Sequence, residues 1–172
     1  MKIYFAHGKE SGPWGAKIKC LAKAAQNLGI KVESIDYSDL MNPEERVERL
    51  VEILKVESLK TESDEVLLVG SSMGGYVSLV AAENVQVQGV FLLAPALYLE
   101  GYKKQDYHSN TNIVIVHGWS DEVIPPEHSI RYAKQADCTL HLISGDHRLN
   151  SSLDQVEALF LQFLSQYQNP FK

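Results

Sequence analysis

Three observations in this 172-residue sequence predict a layered α/β fold on a parallel sheet. Short β-type runs alternate with helical patterns, the order expected of parallel strands joined by right-handed helical crossovers. The run 65–69 is apolar throughout after its first residue, as in a strand covered on both faces. No repeat, low-complexity tract or linker-like stretch interrupts the series, and the length suits one domain over residues 1–172.

The first strand is read at residues 3–6 and ends at His7-Gly8; a loop with Gly, Ser and Pro follows over 8–15. Ile18, Leu21, Ala22, Ala25 and Leu28 recur at steps of three and four, giving a helix over 16–28 closed by Gly29. Residues 31–37 form the second strand. Asn42 can cap the next helix, Pro43 fits its first position, and Glu44 and Glu45 suit its positive end. Val47, Leu50, Val51 and Leu54 then make one apolar stripe. A third strand at 65–69 leads through a Gly-rich turn into a helix reaching about Asn84. Strands at 89–93, 112–116 and 139–143 and helices at 126–136 and 149–167 complete the series. In such sheets the reactive loops lie at the carboxyl ends of the strands. Chemistry is therefore expected just after His7, Gly70, Leu93, His117 and Ile143.

Composition narrows the function classes. With 45% hydrophobic and 22% charged residues, wholesale disorder is excluded. The net charge of −6 and the absence of a polybasic stretch argue against nucleic-acid binding and against an anionic membrane surface. The apolar run at the N-terminus is too short for a signal peptide, and the longest internal run, 90–99, is broken by Pro95. A cytoplasmic protein without membrane insertion is expected. Cys20 and Cys138 allow one bridge at most, and each sits in an apolar pattern that predicts a buried free thiol.

The run Gly70-Ser71-Ser72-Met73-Gly74 matches G-x-S-x-G between a strand and a helix. A nucleophile there must project from a tight, strained turn. A side chain at Gly70 or Gly74 would crowd the strand or the helix. The Met73 N–H, at the helix start, could stabilise developing negative charge. A plain Gly-rich turn is also compatible, as is a phosphate-binding loop, although the G-K-[ST] ending and the G-x-G-x-x-G spacing are absent. A serine needs a base, and the base an orienting acid. Asp121 follows the fifth strand and His147 the sixth, which puts both at the edge where Ser72 sits. The order Ser, Asp, His is that of an α/β hydrolase. The loop after the first strand supplies Lys9, whose backbone N–H would be a second oxyanion donor beside Gly8.

On His7-Gly8 with Ser11-Gly12-Pro13, the Gly70–Gly75 run, Gly118-Trp119-Ser120-Asp121 with Ile124-Pro125, and Gly145-Asp146-His147-Arg148, the chain resembles the α/β-hydrolase superfamily, in particular its small lidless bacterial serine hydrolases. The resemblance covers about residues 2–167. It implies a three-layer sandwich with a six-stranded parallel sheet ordered 2-1-3-4-5-6, a minimal form of the fold without a cap domain. It also implies Ser72 as nucleophile, His147 as base and then acid, and Asp121 as orienting carboxylate. Two departures stand out: larger relatives carry two antiparallel strands before the strand at which this sequence begins, and only residues 94–111 occupy the place of a cap. An open, shallow site is expected.

Trp14, Trp119, Tyr98 and Tyr102 fall in loops at the active edge and could line an acyl pocket or simply pack. The Lys9 side chain could attract an acidic substrate or be solvated. Glu122 is an alternative to Asp121, and the Asp146 side chain should diverge from His147. His108, His128 and His141 show no metal spacing, and H-E-x-x-H and C-x-x-C are absent, so neither metal nor cofactor is expected. The reading is a serine hydrolase acting on a small-molecule carboxylic ester or thioester. The alternatives are a binding protein that keeps the fold with little turnover, and a nucleotide-binding α/β domain.

Overall fold

The computed structural model describes residues 1–60 and 65–168. In chain order the elements are β1 (Lys2–Ala6), α1 (Ala16–Asn27), β2 (Lys31–Ile35), α2 (Pro43–Lys60), β3 (Val66–Ser71), α3 (Met73–Ala82), β4 (Gly89–Leu93), β5 (Asn112–Gly118), α4 (Pro126–Ala136), β6 (Thr139–Ile143) and α5 (Leu153–Ser165), with a 3-10 turn at Asn150–Ser152 before α5. All six strands run parallel in the order β2-β1-β3-β4-β5-β6. This is the architecture that the alternating pattern and the resemblance imply.

Strand alternation builds the three layers. In β1, Ile3 and Phe5 point to one face, where they join Ile18, Leu21, Phe160 and Phe163 of α1 and α5. Tyr4 and Ala6 point to the other, with Leu50, Leu54, Tyr76 and Tyr132 of α2, α3 and α4. The central strands contribute to both faces, so β4 is buried at every residue. That is why a continuous apolar run, rather than alternation, marks them in the sequence. Helix α3 lies so deep that all its residues from Met73 to Ala81 are buried, and its sequence has no polar stripe.

Boundaries shift for local reasons. Asn42 Oδ1 accepts the Glu44 N–H at 2.8 Å, which fixes the start of α2. The last helix begins later than the sequence pattern suggests because Leu149 is left-handed (φ +55°) and cannot open a helix. Cys20 and Cys138 are free but only partly buried, not fully as expected, and the Cys20 thiol reaches Glu157 Oε2 at 3.1 Å. Among the described residues no helix is long and apolar enough to cross a membrane.

The chain reverses direction across the sheet between β1 and β3, its two innermost N-terminal strands. The loops after these strands leave in opposite directions and open a crevice at the carboxyl edge. The candidate site lies there.

Candidate active site

Ser72 occupies the one-residue turn between β3 and α3, with φ +55° and ψ −120°. A non-glycine residue is strained in this conformation and must be held by its surroundings. Four backbone bonds hold it: the Ser72 N–H donates to Leu93 O (2.9 Å), and its carbonyl accepts from Gly75 N–H (2.8 Å), Ala96 N–H (2.9 Å) and, more weakly, Tyr76 N–H (3.4 Å). The flanking glycines make room for the turn. A Cβ on Gly70 would lie 2.3 Å from Gly74 O, and one on Gly74 would lie 1.9 Å from Ala6 O. Strand, turn and helix are therefore packed backbone to backbone.

The structure brings Asp121 and His147 to this turn. His147 Nε2 lies 3.1 Å from Ser72 Oγ, and His147 Nδ1 lies 2.7 Å from Asp121 Oδ2. An ionised carboxylate only accepts, so Nδ1 carries the hydrogen and Nε2 is left to accept from the serine. Asp121 is buried, and its other oxygen accepts the N–H groups of Val123 (2.9 Å) and Ile124 (2.8 Å). Burial opposes the charge. The Ile124 N–H, the His147 imidazole and the Val123 N–H outweigh it, and the pKa falls below the ordinary carboxylate value. Glu122 is exposed, and Asp146 turns back to accept the Arg148 and Leu149 N–H groups.

A second imidazole joins the group, one that sequence reading passed over. His117, at the end of β5, is fully buried. Its Nε2 lies 3.0 Å from both Asp121 Oδ2 and Ile124 O, so it donates to two acceptors. Nδ1 then accepts from the Ser129 hydroxyl at 2.7 Å. Burial lowers the pKa of His117 despite the carboxylate, which leaves the ring neutral. The one signal in the sequence was its place at a strand end, four residues before Asp121.

The loop after β1 is fixed in the same way. His7 Nδ1 donates to Gly8 O (2.6 Å), and Nε2 accepts the Tyr37 N–H (3.0 Å). Arg46 of α2, fully buried, adds Nη1 bonds to His7 O and Gly8 O, both at 3.2 Å, besides bonds to Leu40 O and Tyr37 O. The Gly8 carbonyl is thus pinned by two donors. Because the peptide is planar and trans, the Lys9 N–H points the opposite way. Gly8 itself abuts Ser72, since a Cβ there would sit 3.4 Å from Ser72 Cβ. Among the described residues no acceptor takes the N–H of Lys9 or of Met73.

Beside Ser72 lies a cavity of about 620 Å³, walled in part by Ile18, Met73, Leu99, Tyr102 and Ile124. The connection 94–111 supplies one wall through Ala96, Leu99 and Tyr102. This segment carries no helix or strand, yet it is tied down by side chains. Tyr76 Oη donates to Glu44 Oε1 and accepts from Lys104 N–H, and Tyr102 packs edge-on against Tyr76 at 4.7 Å. Of the aromatic residues suggested as lining, Tyr102 is in the wall; Trp14, Tyr98 and Trp119 are not. Tyr98 turns toward α4, with Arg131 over its ring at 3.9 Å and its hydroxyl on Gln135. Trp14 and Trp119 stand in solvent, 45% and 60% exposed. Among the described residues no cluster of three or more His, Cys, Asp or Glu is placed to hold a metal ion.

Comparison with known proteins gives this geometry a context. The model of UPF0227, an uncharacterised protein family, matches residues 1–105. A Xanthomonas campestris protein assigned to the α/β-hydrolase superfamily is similar along 96% of this chain and 98% of its own, at 30% identity and a TM-score of 0.87. A Coxiella burnetii α/β serine hydrolase homologue shares 25% identity over 95% of this chain and 84% of its own, with a TM-score of 0.76. A lidless α/β serine hydrolase of X. campestris, 17% identical, superposes over 99% and 84% of the two chains with a TM-score of 0.76. No curated protein matches in sequence.

Proposed function

The chain belongs to the UPF0227 family and to the α/β-hydrolase superfamily, and on that premise we propose that it is a serine hydrolase cleaving a carboxylic ester or thioester through an acyl-enzyme. In this reading the Ser72 proton passes to His147 Nε2 as Oγ attacks the carbonyl carbon. The oxyanion is received by the Lys9 and Met73 N–H groups. Collapse of the tetrahedral adduct expels an alcohol or thiol, which takes its proton from the His147 imidazolium. Water then enters, gives a proton to His147 and attacks the acyl carbon, and Ser72 recovers its hydrogen. Asp121 stays ionised throughout, fixing the imidazole tautomer and stabilising its charged form.

The observation that carries the proposal is the Ser72–His147–Asp121 relay, at 3.1 and 2.7 Å, mounted on a strained strand-to-helix turn. The two N–H groups without acceptors support it, because backbone donors at such an edge serve best where charge develops. The cavity, apolar along much of its wall, suits an acyl group. Turnover of p-nitrophenyl butyrate and of a butyryl thioester tests the reading. Ser72→Ala should lower kcat by a factor on the order of 10⁶. Undiminished turnover in that variant would remove Ser72 from the mechanism.

A further inference from the structure

The α1 wall of the cavity holds a cation that the proposed mechanism does not use. Lys17 lines the cavity, and its Nζ donates to the His147 carbonyl oxygen at 3.0 Å. It forms no ion pair among the described residues. Burial, helped by the nearby Arg148 charge, pushes its pKa down to about 8, while Asp121 and Asp146, too far away for an ion pair, pull it back up. The ammonium is therefore charged at neutral pH, held partly out of water, and supported by one neutral carbonyl.

Its neighbours reinforce the charge. Lys9 and Arg148 line the same cavity, and neither forms an ion pair among the described residues; Glu10 is the one carboxylate in the lining. Three cations thus face one anion on a chain whose net charge is −6. The first turn of α1 carries no acidic side chain to offset its positive end. An ammonium withdrawn from water is costly unless an anion meets it.

We propose that Lys17 binds an anionic group of the substrate, a carboxylate or a phosphate, while Lys9 and Arg148 draw it into the cavity. The inference rests on the serine-hydrolase reading of this site and specifies its substrate class: an ester or thioester bearing a negative charge close to the scissile bond. The apolar wall at Ile18, Leu99 and Ile124 takes the uncharged remainder.

Two matched pairs of substrates test this. One pair is the butyryl thioesters of 3-mercaptopropionate and of its methyl ester, with the charge on the leaving thiol. The other is p-nitrophenyl hydrogen succinate and its methyl ester, with the charge on the acyl group. The wild-type protein should favour the charged member of at least one pair by about tenfold in kcat/KM. Added salt should shrink the preference. Lys17→Met should abolish it and Lys17→Arg should retain it. Should Lys17→Met fail to fold, Lys17→Gln and the salt dependence of the wild type carry the same test. Equal use of both members in both pairs overturns the proposal. So does an equal loss on charged and neutral substrates in Lys17→Met, which would leave Lys17 as a tether for the His147 loop. Failure of the hydrolase reading looks different: none of the four compounds is turned over, and a fluorophosphonate leaves Ser72 unmodified.

Discussion

Asp121 serves two imidazoles through a single oxygen, and the two have opposite surroundings. His147 is partly exposed and faces the serine; His117 is sealed in the core between Asp121, Ile124 and Ser129. In the proposed mechanism only His147 changes charge. His117 is a positioning residue: with the Val123 and Ile124 N–H groups it fixes the carboxylate so that Oδ2 meets His147 Nδ1. Removing the ring takes the partner from the Ile124 carbonyl and the Ser129 hydroxyl, each costing about 1–3 kcal/mol, and leaves Asp121 Oδ2 with His147 alone. His117→Ala should therefore lower the melting temperature by several degrees and kcat by about tenfold or more. His117→Gln, which keeps a donor, should recover part of both. The comparison needs a melting curve and a kcat from each variant, and unchanged kcat in folded His117→Ala would refute the positioning role. Sequence reasoning did not find this residue because a histidine at a strand end has no distinguishing pattern; its meaning lies in contacts with residues on other elements. Arg46 and Lys17 escaped for the same reason, since a charged residue on an amphipathic helix reads as solvated until the fold places it.

At the scale of elements, the turn between β3 and α3 depends on two close backbone approaches. The Gly74 site leaves no space for a methyl group, because its neighbour is the carbonyl of Ala6 in β1 rather than a movable side chain. Gly74→Ala must push α3 away from the sheet, and overpacking of this kind typically costs about 1–3 kcal/mol, occasionally more. The variant should melt lower and lose most of the proposed hydrolase activity together. Preserved activity with a lowered melting point would show that the turn tolerates the displacement. The glycine pattern was legible because steric exclusion by backbone leaves a mark on residue type. The wall formed by 94–111 was not legible. Whether Tyr98 or Tyr102 faces the cavity depends on a left-handed residue at Tyr98 and on hydrogen bonds to Glu44 and Glu83, which lie on other elements. Helix α5 was placed too early because a left-handed Leu149 has no sequence signature of its own.

Across the whole molecule, topology explains why so much of the architecture could be read from sequence. Strand–helix alternation and fully apolar central strands are local signals, and right-handed crossovers leave few arrangements for them. The same burial makes stability depend on acid. His7 and His117 are held below the ordinary imidazole range, in both chiefly by burial. Unfolding frees them to bind protons near about 6.5. Below that value, and down to their folded values, the unfolded chain binds more protons, so stability falls as pH falls. Asp121 acts lower: its folded pKa is depressed, so its contribution is complete above about 3.9 and lost as pH drops through the folded value. Thermal unfolding should show a melting temperature that declines from pH 7 to 5, with a shallower decline in His117→Gln; a flat profile would contradict buried neutral imidazoles. The claim on which the function rests is the reactivity of one hydroxyl. Intact-protein and peptide mass spectrometry after treatment with a fluorophosphonate measures it directly. The account predicts one phosphonyl group per chain, on Ser72, with labelling slowed on acidification and absent from Ser72→Ala. An unmodified Ser72 in the folded protein at neutral pH, or a label carried equally by Ser72→Ala, would contradict it.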